Sequence, residues 1–231
     1  MSLGSNHHYY DRQAVAAGLL NDEVSLGEVR LVADLRGCGG LLLDLGCGSG
    51  RLHDHLRGLQ LVGIDYAWAQ LAAYRGRAPG ASLVNGTAAR LPFAADTFDA
   101  VLMSYHLIES ILPAAARESV LKDASRVMTP NGRLFLTHHQ RGNYRLRQQV
   151  IDRFTGGVTT FGDLLGRGTS RSGGNDLSGF TMHVPSSREI RHLARSAGLV
   201  RVDTWDFDSG GRRRWTSRAI VEKYRARDLT D

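Results

Sequence analysis

Short apolar runs alternate with amphipathic segments between residues 25 and 138. The runs are typical of strands buried on both faces of a sheet, and they are LLLDL at 41–45, LVGID at 61–65, ASLV at 81–84, FDAVLMS at 98–104 and GRLFLTH at 132–138. Helical patterns precede and separate them, at 25–36, 50–57, 67–77 and 113–128. Strands alternating with helices predict a parallel sheet covered on both sides, and right-handed crossovers make it doubly wound.

The regular pattern returns near the C-terminus. VPSSREIRHLARSAGLV has Ser186 and Glu189 at the spacing of a capping box and Gly198 after the last turn, which predicts a helix. VRVDTWDF and WTSRAIVEKY flank the turn-like DSGGRRR and predict a terminal antiparallel strand pair. The predicted fold is therefore α/β, a Rossmann-like, doubly wound, seven-stranded and mostly parallel sheet that ends in this antiparallel pair.

Residues 139–180 interrupt the pattern with a segment rich in Gly, Arg, Ser and Thr. This segment is too long for an ordinary connection, so we predict an insertion after the fifth strand. It is interpreted either as a lid over a substrate or as a mobile insertion, and the lid is preferred. The length of 231 residues fits one domain, 1–231, in which residues 1–37 form an N-terminal helical segment.

The composition predicts a soluble globular protein. No apolar run approaches the ~18 residues of a membrane span, and MSLGSNHHYY lacks the apolar middle of a signal peptide. We therefore expect a cytoplasmic protein with no membrane partner. Cys38 and Cys47 are nine positions apart, which indicates neither a disulfide framework nor a CxxC metal site, and no metal is expected.

The net charge of +6 is concentrated in the C-terminal part of the chain. Residues 1–137 carry 12 basic and 13 acidic side chains, whereas residues 138–231 carry 17 and 10. Such an excess is compatible with an anionic or nucleic-acid partner. The GRRRW cluster at 211–215, however, has no interleaved aromatic residues for base stacking. Nucleic acid is therefore possible but not favoured.

Three glycines follow the first predicted strand in LLLDLGCGSGRL, residues 41–52. Glycines let the backbone adopt positive φ and let a ligand approach main-chain N–H groups. A P-loop needs a lysine after its last glycine, but Arg51 stands there. A dinucleotide motif needs a glycine or alanine at the position that Arg51 occupies, because the helix packs closely there. The loop therefore favours neither a P-loop phosphate site nor a dinucleotide site.

Asp65 ends the second predicted strand, 19 residues after Gly46. The two oxygens of a carboxylate match the vicinal hydroxyls of a ribose. Alternatively, Asp65 caps the following helix. The glycine turn upstream favours nucleoside binding.

A series of motifs in order gives the chain a specific resemblance. After LLLDLGCGSG come LVGIDYA, GTAARLPFAADTFDAVLMSYHLIES, ASRVMTPNGRLFLTHH and FTMHVPSSREIRHLARSAGL. The chain resembles the class I S-adenosylmethionine-dependent methyltransferases, close to the small stand-alone type 11, over residues 40–138 and more loosely over 180–205. The resemblance implies S-adenosylmethionine as methyl donor and S-adenosylhomocysteine as product. The complete set of cofactor motifs, the lone catalytic domain and the long insertion favour in-line methyl transfer to a small-molecule acceptor.

The resemblance also implies which residues hold the cofactor. Residues 46–48 present backbone groups to the methionyl part, Asp44 orders that region, and Ser104 lies under the methionyl end. Asp65 holds the ribose and Tyr66 lies along the adenine. The full set is Asp44, Gly46, Cys47, Gly48, Gly50, Asp65, Tyr66, Thr87, Ala88 and Ser104.

Two positions depart from the family pattern. Many relatives carry an aspartate two positions after Asn85, where it receives the adenine amino group, but this chain has Thr87, next to Ala88 at the adenine edge. Many relatives also carry a histidine in the segment after the fourth strand, where YHLIES places Glu109 and has its histidine earlier, at His106. The acceptor side of the site is therefore not implied by the resemblance.

A general base is needed only if the acceptor is a hydroxyl or a protonated amine. His106 and Glu109 are the first candidates because they follow the fourth strand at its carboxyl end, where open α/β sheets bind ligands. An ordinary polar or core role is the alternative for each of them and for the further candidates His138, His139 and His183.

Other functions and contacts stay open. The alternatives are an RNA or tRNA methyltransferase that uses the basic C-terminal face, and a non-catalytic nucleoside-binding protein. Tyr9 and Tyr10 either pack an N-terminal helix into the core or place it over the cofactor. The sequence leaves the oligomeric state undetermined.

Overall fold

The computed structural model describes residues 6–12, 24–105, 107–139, 163–165, 181–208 and 219–227. Its helices are α1 (His7–Tyr10), α2 (Leu26–Cys38), α3 (Trp68–Arg77), α4 (Leu107–Ser110), α5 (Ala114–Val127) and α6 (Ser187–Ser196). Its strands are β1 (Leu41–Leu45), β2 (Gln60–Asp65), β3 (Ser82–Asn85), β4 (Phe98–Met103), β5 (Met128–His139), β6 (Asp163–Leu165), β7 (Thr181–His183), β8 (Leu199–Asp206) and β9 (Ala219–Ala226).

Seven strands form the main sheet in the order β3-β2-β1-β4-β5-β9-β8. The first five of these strands are parallel to one another, and β9 lies antiparallel between β5 and β8. The predicted fold class is confirmed. The chain order reverses between β1 and β4, which is where open α/β sheets form a ligand crevice at the carboxyl ends of the strands.

Apolar side chains cover both faces of the sheet, as the uninterrupted apolar runs require. Leu42 and Leu43 are consecutive in β1 and therefore point to opposite faces. Leu42 packs in a cluster with Leu31 of α2 and Trp205 of β8. Leu43 packs in a second cluster with side chains of α5 and α6, among them Leu121 and Ile190.

Residues 51–58 are a run of turns, so the helix predicted at 50–57 is wrong. Leu52 and Leu56 are buried four positions apart, a spacing that also fits one face of a helix. The segment mixes three- and four-residue hydrogen bonds, for example from His53 N to Gly50 O and from Leu56 N to Leu52 O. Gly50 and Gly58 bound it with positive φ, and no regular helix forms between them.

The two capping boxes differ in the structure. Ser25 Oγ accepts from Glu28 N at 3.2 Å and Glu28 Oε2 accepts from Ser25 N at 2.9 Å, so the first box is complete. Ser186 Oγ accepts from Glu189 N at 3.1 Å, but Glu189 Oε1 lies 2.8 Å from His183 Nε2. Helix α6 therefore has its N-terminal cap at Ser186, while the side chain of Glu189 contacts His183 instead of completing the box.

The strands β6 and β7 form a separate two-stranded antiparallel sheet that was not predicted. Apart from His139 and β6, the predicted insertion at 139–180 lies outside the described residues. Within the described part of the chain, no helix has the length and apolar character of a membrane span.

Candidate active site

A cleft of about 690 Å³, counting the part open to solvent, lies at the carboxyl edge of β1, β2 and β4. The structure brings together seven of the predicted cofactor-binding residues in its lining, namely Asp44, Gly46, Cys47, Gly48, Asp65, Tyr66 and Ser104. The lining also contains Tyr10, for which a place over the cofactor was one of two interpretations. Its other residues were not predicted to bind cofactor, and they are Ser49, Arg51, Leu52, Gln70, Tyr105, Leu107 and Ser110.

The glycine loop is built on left-handed backbone. Gly46, Gly48 and Gly50 have φ values of 73°, 52° and 76°, which residues with a Cβ rarely adopt. A Cβ at Gly46 would lie 2.8 Å from the Leu107 side chain, and one at Gly50 would lie 2.5 Å from the Tyr74 ring. Gly46 thus lets α4 approach the cleft, whereas Gly50 is buried against Tyr74 and is not part of the lining.

The N–H groups of this loop are used within the protein. Gly46 N and Cys47 N both donate to Ile64 O, at 2.8 and 3.1 Å, and Gly48 N donates to Asp65 Oδ2 at 2.9 Å. These bonds fix the loop against the end of β2. Burial and then the nearby charge of Asp44 raise the pKa of the Cys47 thiol, which keeps it neutral.

Asp65 is held at the cleft by two backbone donors, one on each carboxylate oxygen. Gly48 N donates to Oδ2 and Ala67 N donates to Oδ1, each at 2.9 Å. The N-cap of α3 is Ala67 and no side chain caps the helix, so the capping interpretation of Asp65 is wrong. Asp65 lines the cleft. Each carboxylate oxygen can accept a second hydrogen bond, so a pair of ligand hydroxyls fits the same carboxylate.

Asp44 lies buried in the cleft wall, and its Oδ1 has no hydrogen-bond partner among the described residues. Burial raises the pKa of Asp44 to about 7, the charge of Asp65 adds to the rise, and Arg51 opposes it. Ser49 Oγ and Gln70 Oε1 are likewise buried without partners in the same set, and both residues line the cleft. Buried polar atoms without partners are rare and call for a ligand or water, and these suit a cation with hydrogen-bond donors.

Arg51 brings a positive charge to the cleft, but a carboxylate already balances it. Its Nη2 pairs with Glu28 Oε1, and Nη1 lies 3.3 Å from Glu28 Oε2. Its guanidinium also lies 4.8 Å from the centre of the Tyr105 ring. A phosphate site needs positive charge that no carboxylate balances. Arg51 therefore does not form such a site.

The loop after β3 lies beside Tyr66. Asn85 Nδ2 donates to the carbonyl oxygens of Asp65 and Tyr66, each at 3.1 Å, and Gly86 N donates to Asp65 O at 3.0 Å. Thr87 is exposed and Ala88 is half-buried. Neither of these two predicted residues lines the cleft.

The N-terminal helix α1 and its flanking residues reach across the cleft. Asn6 Nδ2 donates to Ser110 O at 3.1 Å and to Thr181 O at 2.6 Å. At the other end, Tyr10 O accepts from Gln70 Nε2 at 3.2 Å, so α1 bridges α4 and α3. Tyr9 is buried, as expected if it packs into the core, whereas Tyr10 lines the cleft.

The structure pairs two of the candidate bases, Glu109 and His139, with each other and places His138 and His183 in other contacts. Glu109 is buried outside the cleft lining, and its Oε2 lies 2.8 Å from His139 Nδ1. His183 Nε2 lies 2.8 Å from Glu189 Oε1. His106 is outside the described residues.

His138 is completely buried beside Glu222 of β9. Burial opposes a charge on the ring, but the neighbouring Glu222 outweighs it and raises the pKa of His138 above its ordinary value. Burial opposes the charged form of Glu222 as well, yet His138, Tyr224 and Arg201 lower the pKa of this carboxyl to about 2. This network holds the last strands together and lies apart from the cleft lining.

Comparison with known proteins adds sequence relatives and structural neighbours. The family described as "Methyltransferase domain" matches residues 43–136. A demethylmenaquinone methyltransferase of Beutenbergia cavernae is 37% identical over 133 residues, which are 54% of each chain. The ubiquinone/menaquinone biosynthesis C-methyltransferase UbiE of Cereibacter sphaeroides is 28% identical over 215 residues, 86% of this chain and 81% of that one.

Among solved structures, the CcbJ methyltransferase from Streptomyces caelestis superimposes with a TM-score of 0.70 over 96% of each chain, at 19% identity. This likeness shows the fold. The matches to three demethylmenaquinone methyltransferases span only 52–60% of those proteins. The family match over residues 43–136 includes every residue of the cleft lining except Tyr10.

Proposed function

We propose that the chain is a class I S-adenosylmethionine-dependent methyltransferase and that it transfers a methyl group from S-adenosylmethionine to a small-molecule acceptor. The main observation behind the proposal is that one cleft holds two carboxylates in different surroundings. Asp65 is held by backbone donors at the end of β2, and Asp44 is buried with an unpartnered Oδ1 at the end of β1.

The cleft residues fit this cofactor. Asp44 suits the α-ammonium group because a buried carboxylate oxygen without a partner favours a cation. Asp65 suits the two ribose hydroxyls, and Tyr66 lies where the adenine would follow. The other proposed contacts are Gly46, Cys47, Gly48 and Ser104 around the methionyl part, and Thr87 and Ala88 at the adenine edge. Gly50 supports the loop from behind.

When bound, the cofactor supplies a methyl carbon made electrophilic by a positively charged sulfur. The protein mainly aligns the donor and the acceptor, and such alignment can contribute ~7–11 kcal/mol. Arg51 keeps the loop and α2 together through Glu28. Tyr10 of α1 covers one side of the cleft and limits the access of water.

The acceptor class is proposed from the relatives and from the wall of the cleft. Relatives are named for methylation of demethylmenaquinone, and Tyr105 and Leu107 give the cleft an aromatic and an aliphatic side chain beyond Ser104. A reduced naphthoquinone, which is aromatic and carries hydroxyl groups, is therefore the first acceptor to test. The lid at 139–180, the single-domain organisation and the cytoplasmic location stay predictions.

Methyl transfer is tested directly with S-adenosylmethionine labelled in its methyl group. We expect label to enter a 1,4-dihydroxynaphthalene or another phenol or amine of a small panel, with one S-adenosylhomocysteine formed per methyl group. Binding of the cofactor without transfer to any acceptor would favour the nucleoside-binding alternative. Transfer to RNA that falls steeply with salt would favour the RNA methyltransferase instead.

Replacing Tyr10 with alanine is expected to weaken the binding of S-adenosylhomocysteine about tenfold, equivalent to about 1.4 kcal/mol. The reason is that Tyr10 lines the cleft and its ring lies 6.4 Å from that of Tyr66. Isothermal titration measures the change. Trp68→Ala is the matched control, because Trp68 is exposed near the start of α3 and does not line the cleft. Equal affinity in Tyr10→Ala and wild type contradicts the covering role.

A further inference from the structure

The carboxylate of Glu109 in α4 contacts both the backbone and the ring of His139 at the end of β5. Glu109 Oε1 accepts a hydrogen bond from the backbone N–H of His139, and Glu109 Oε2 lies 2.8 Å from His139 Nδ1. Building on the proposed methyl transfer, we infer that His139 is the base that takes the proton of the acceptor and that Glu109 is the residue that positions it.

The order of the strands places His139 on the acceptor side of the cleft. Asp65 ends β2, Asp44 lies near the end of β1, Ser104 follows β4, and His139 ends β5, and these four strands are consecutive neighbours in the sheet. Neighbouring strands lie about 4.8 Å apart, so His139 stands about 10 Å from the strand of Asp44 and about 14 Å from that of Asp65. These four residues form a row along the edge of the sheet. In the proposed complex, Asp65 lies at the ribose, Asp44 and Ser104 lie at the methionyl part, and His139 lies at the acceptor.

The helix that carries Glu109 connects this pair to the cleft. Leu107 and Ser110 of α4 line the cleft, while Glu109, between them in sequence, is directed to β5. Met103 of β4 pairs with Leu136 of β5, so β5 continues for three residues beyond that pair to reach His139 at the same edge as Ser104 and Tyr105. The short helix α4 and the pairing of β4 with β5 thus connect His139 to the cleft.

The hydrogen bond to Glu109 determines the form of the His139 ring. A carboxylate only accepts hydrogen bonds, so Nδ1 of the neutral ring carries the hydrogen and Nε2 carries the lone pair. The Glu109 side chain is 1% exposed, whereas that of His139 is 23% exposed. The buried carboxylate therefore fixes a ring that reaches the surface, which is the arrangement in which a carboxylate orients a histidine base.

The proposed step balances as follows. His139 Nε2 takes the hydrogen of an acceptor O–H or N–H group, and the electron pair of that bond stays with the acceptor. That pair, or its conjugate position on an aromatic ring, forms the new bond to the methyl carbon. The carbon–sulfur electron pair stays on sulfur, giving a neutral thioether. The imidazolium formed on His139 lies beside the Glu109 carboxylate, which stabilises its charge, and it later returns the proton to water.

The other candidate bases are less suited to this step. Both oxygens of Glu109 already accept hydrogen bonds from His139, so Glu109 positions the base, which revises the role predicted from sequence. His138 is completely buried, with its Nδ1 2.7 Å from the carbonyl oxygen of His139. His183 Nε2 is directed to Glu189.

The tautomer of His139 tests the inference without any acceptor. Nitrogen-15 spectra of histidine-labelled protein with S-adenosylhomocysteine added are expected to show the Nδ1–H form in the wild type. In Glu109→Gln, the amide oxygen can accept from the backbone N–H while the amide NH₂ donates to Nδ1, so the Nε2–H form is expected. The same tautomer in both proteins, or the Nε2–H form in the wild type, overturns the inference.

Kinetics provide the second test, with the acceptor that the wild type methylates. His139→Gln and Glu109→Gln are expected to lower kcat about 10²–10⁴-fold, while KM for S-adenosylmethionine and the affinity for S-adenosylhomocysteine stay unchanged. His192→Gln and Glu118→Gln, on exposed side chains, are matched controls that keep wild-type rates. A wild-type kcat in His139→Gln overturns the inference.

The two tests separate this inference from the proposed function. If the wild-type protein does not bind S-adenosylhomocysteine, the proposed function fails, whereas the tautomer still reports on the contact between Glu109 and His139. Retained affinity for S-adenosylhomocysteine shows that a variant is folded. If the buried Glu109→Gln substitution prevents folding, His139→Gln, at a partly exposed side chain, still decides the kinetic test.

Discussion

Asp65→Ala is expected to weaken the binding of S-adenosylhomocysteine about 100-fold. Hydrogen bonds to a charged group contribute about 1.5–3 kcal/mol, and the substitution removes both acceptors for the ribose hydroxyls. It also leaves Gly48 N and Ala67 N without the carboxylate that now accepts from them, so the glycine loop loses a contact that holds its shape. Isothermal titration of the wild type and the variant measures the difference.

Two further substitutions make this result specific. Asp65→Asn keeps the size of the side chain and one acceptor oxygen, so an intermediate loss is expected. Asp54→Ala removes an aspartate that pairs with Arg57 and Arg77 and does not line the cleft, so its affinity is expected to equal that of the wild type. An affinity of Asp65→Ala within twofold of wild type would contradict the assignment of the ribose to Asp65.

Asp44→Asn is expected to stabilise the ligand-free protein at pH 8 while weakening its affinity for S-adenosylhomocysteine. Burial raises the pKa of Asp44 from 3.8 to about 7, so the folded protein keeps a proton between these values that the unfolded chain has lost. Stability therefore falls as the pH rises from about 4 to about 7. A pKa of about 7 in place of 3.8 corresponds to a loss of up to about 4 kcal/mol.

Denaturant unfolding at pH 4, 6 and 8 measures this effect. The free energy of unfolding of Asp44→Asn is expected to exceed that of the wild type at pH 8 and to approach it at pH 4. Binding of a ligand with an ammonium group favours the charged carboxylate, so S-adenosylhomocysteine is expected to release up to one proton from the wild type at pH 6. The variant releases none from this position. Asp54→Asn is the matched control, and equal pH dependence in Asp44→Asn and wild type would refute the account of Asp44.

Much of the fold follows from local pattern. Leu42 and Leu43 are both apolar and consecutive, which is required of a strand buried on both faces, and the structure places them in opposite clusters. Asp44 and Asp65 interrupt such runs near the carboxyl ends of two strands, so their proximity follows once the strands are parallel neighbours. The turns at residues 51–58 could not be distinguished from a helix, because the spacing of Leu52 and Leu56 fits both.

The remaining parts of the site depend on contacts between residues far apart in the chain. Asn6 reaches Thr181, 175 positions away, and this contact places α1 across the cleft. Glu109 follows β4 and His139 ends β5, and the pairing of these two strands brings the residues within hydrogen-bonding distance. No local pattern encodes such contacts, which is why the sequence ranked Glu109 as a base and could not identify the histidine that it holds.

A crystal structure of the protein with S-adenosylhomocysteine tests the central claim most directly. The account predicts the ribose hydroxyls within hydrogen-bonding distance of Asp65 Oδ1 and Oδ2, and the α-ammonium group against Asp44 Oδ1. It also predicts the sulfur on the side of the cleft that faces Ser104 and the end of β5. A ribose that does not touch Asp65, or an ammonium group bound away from Asp44, would contradict it.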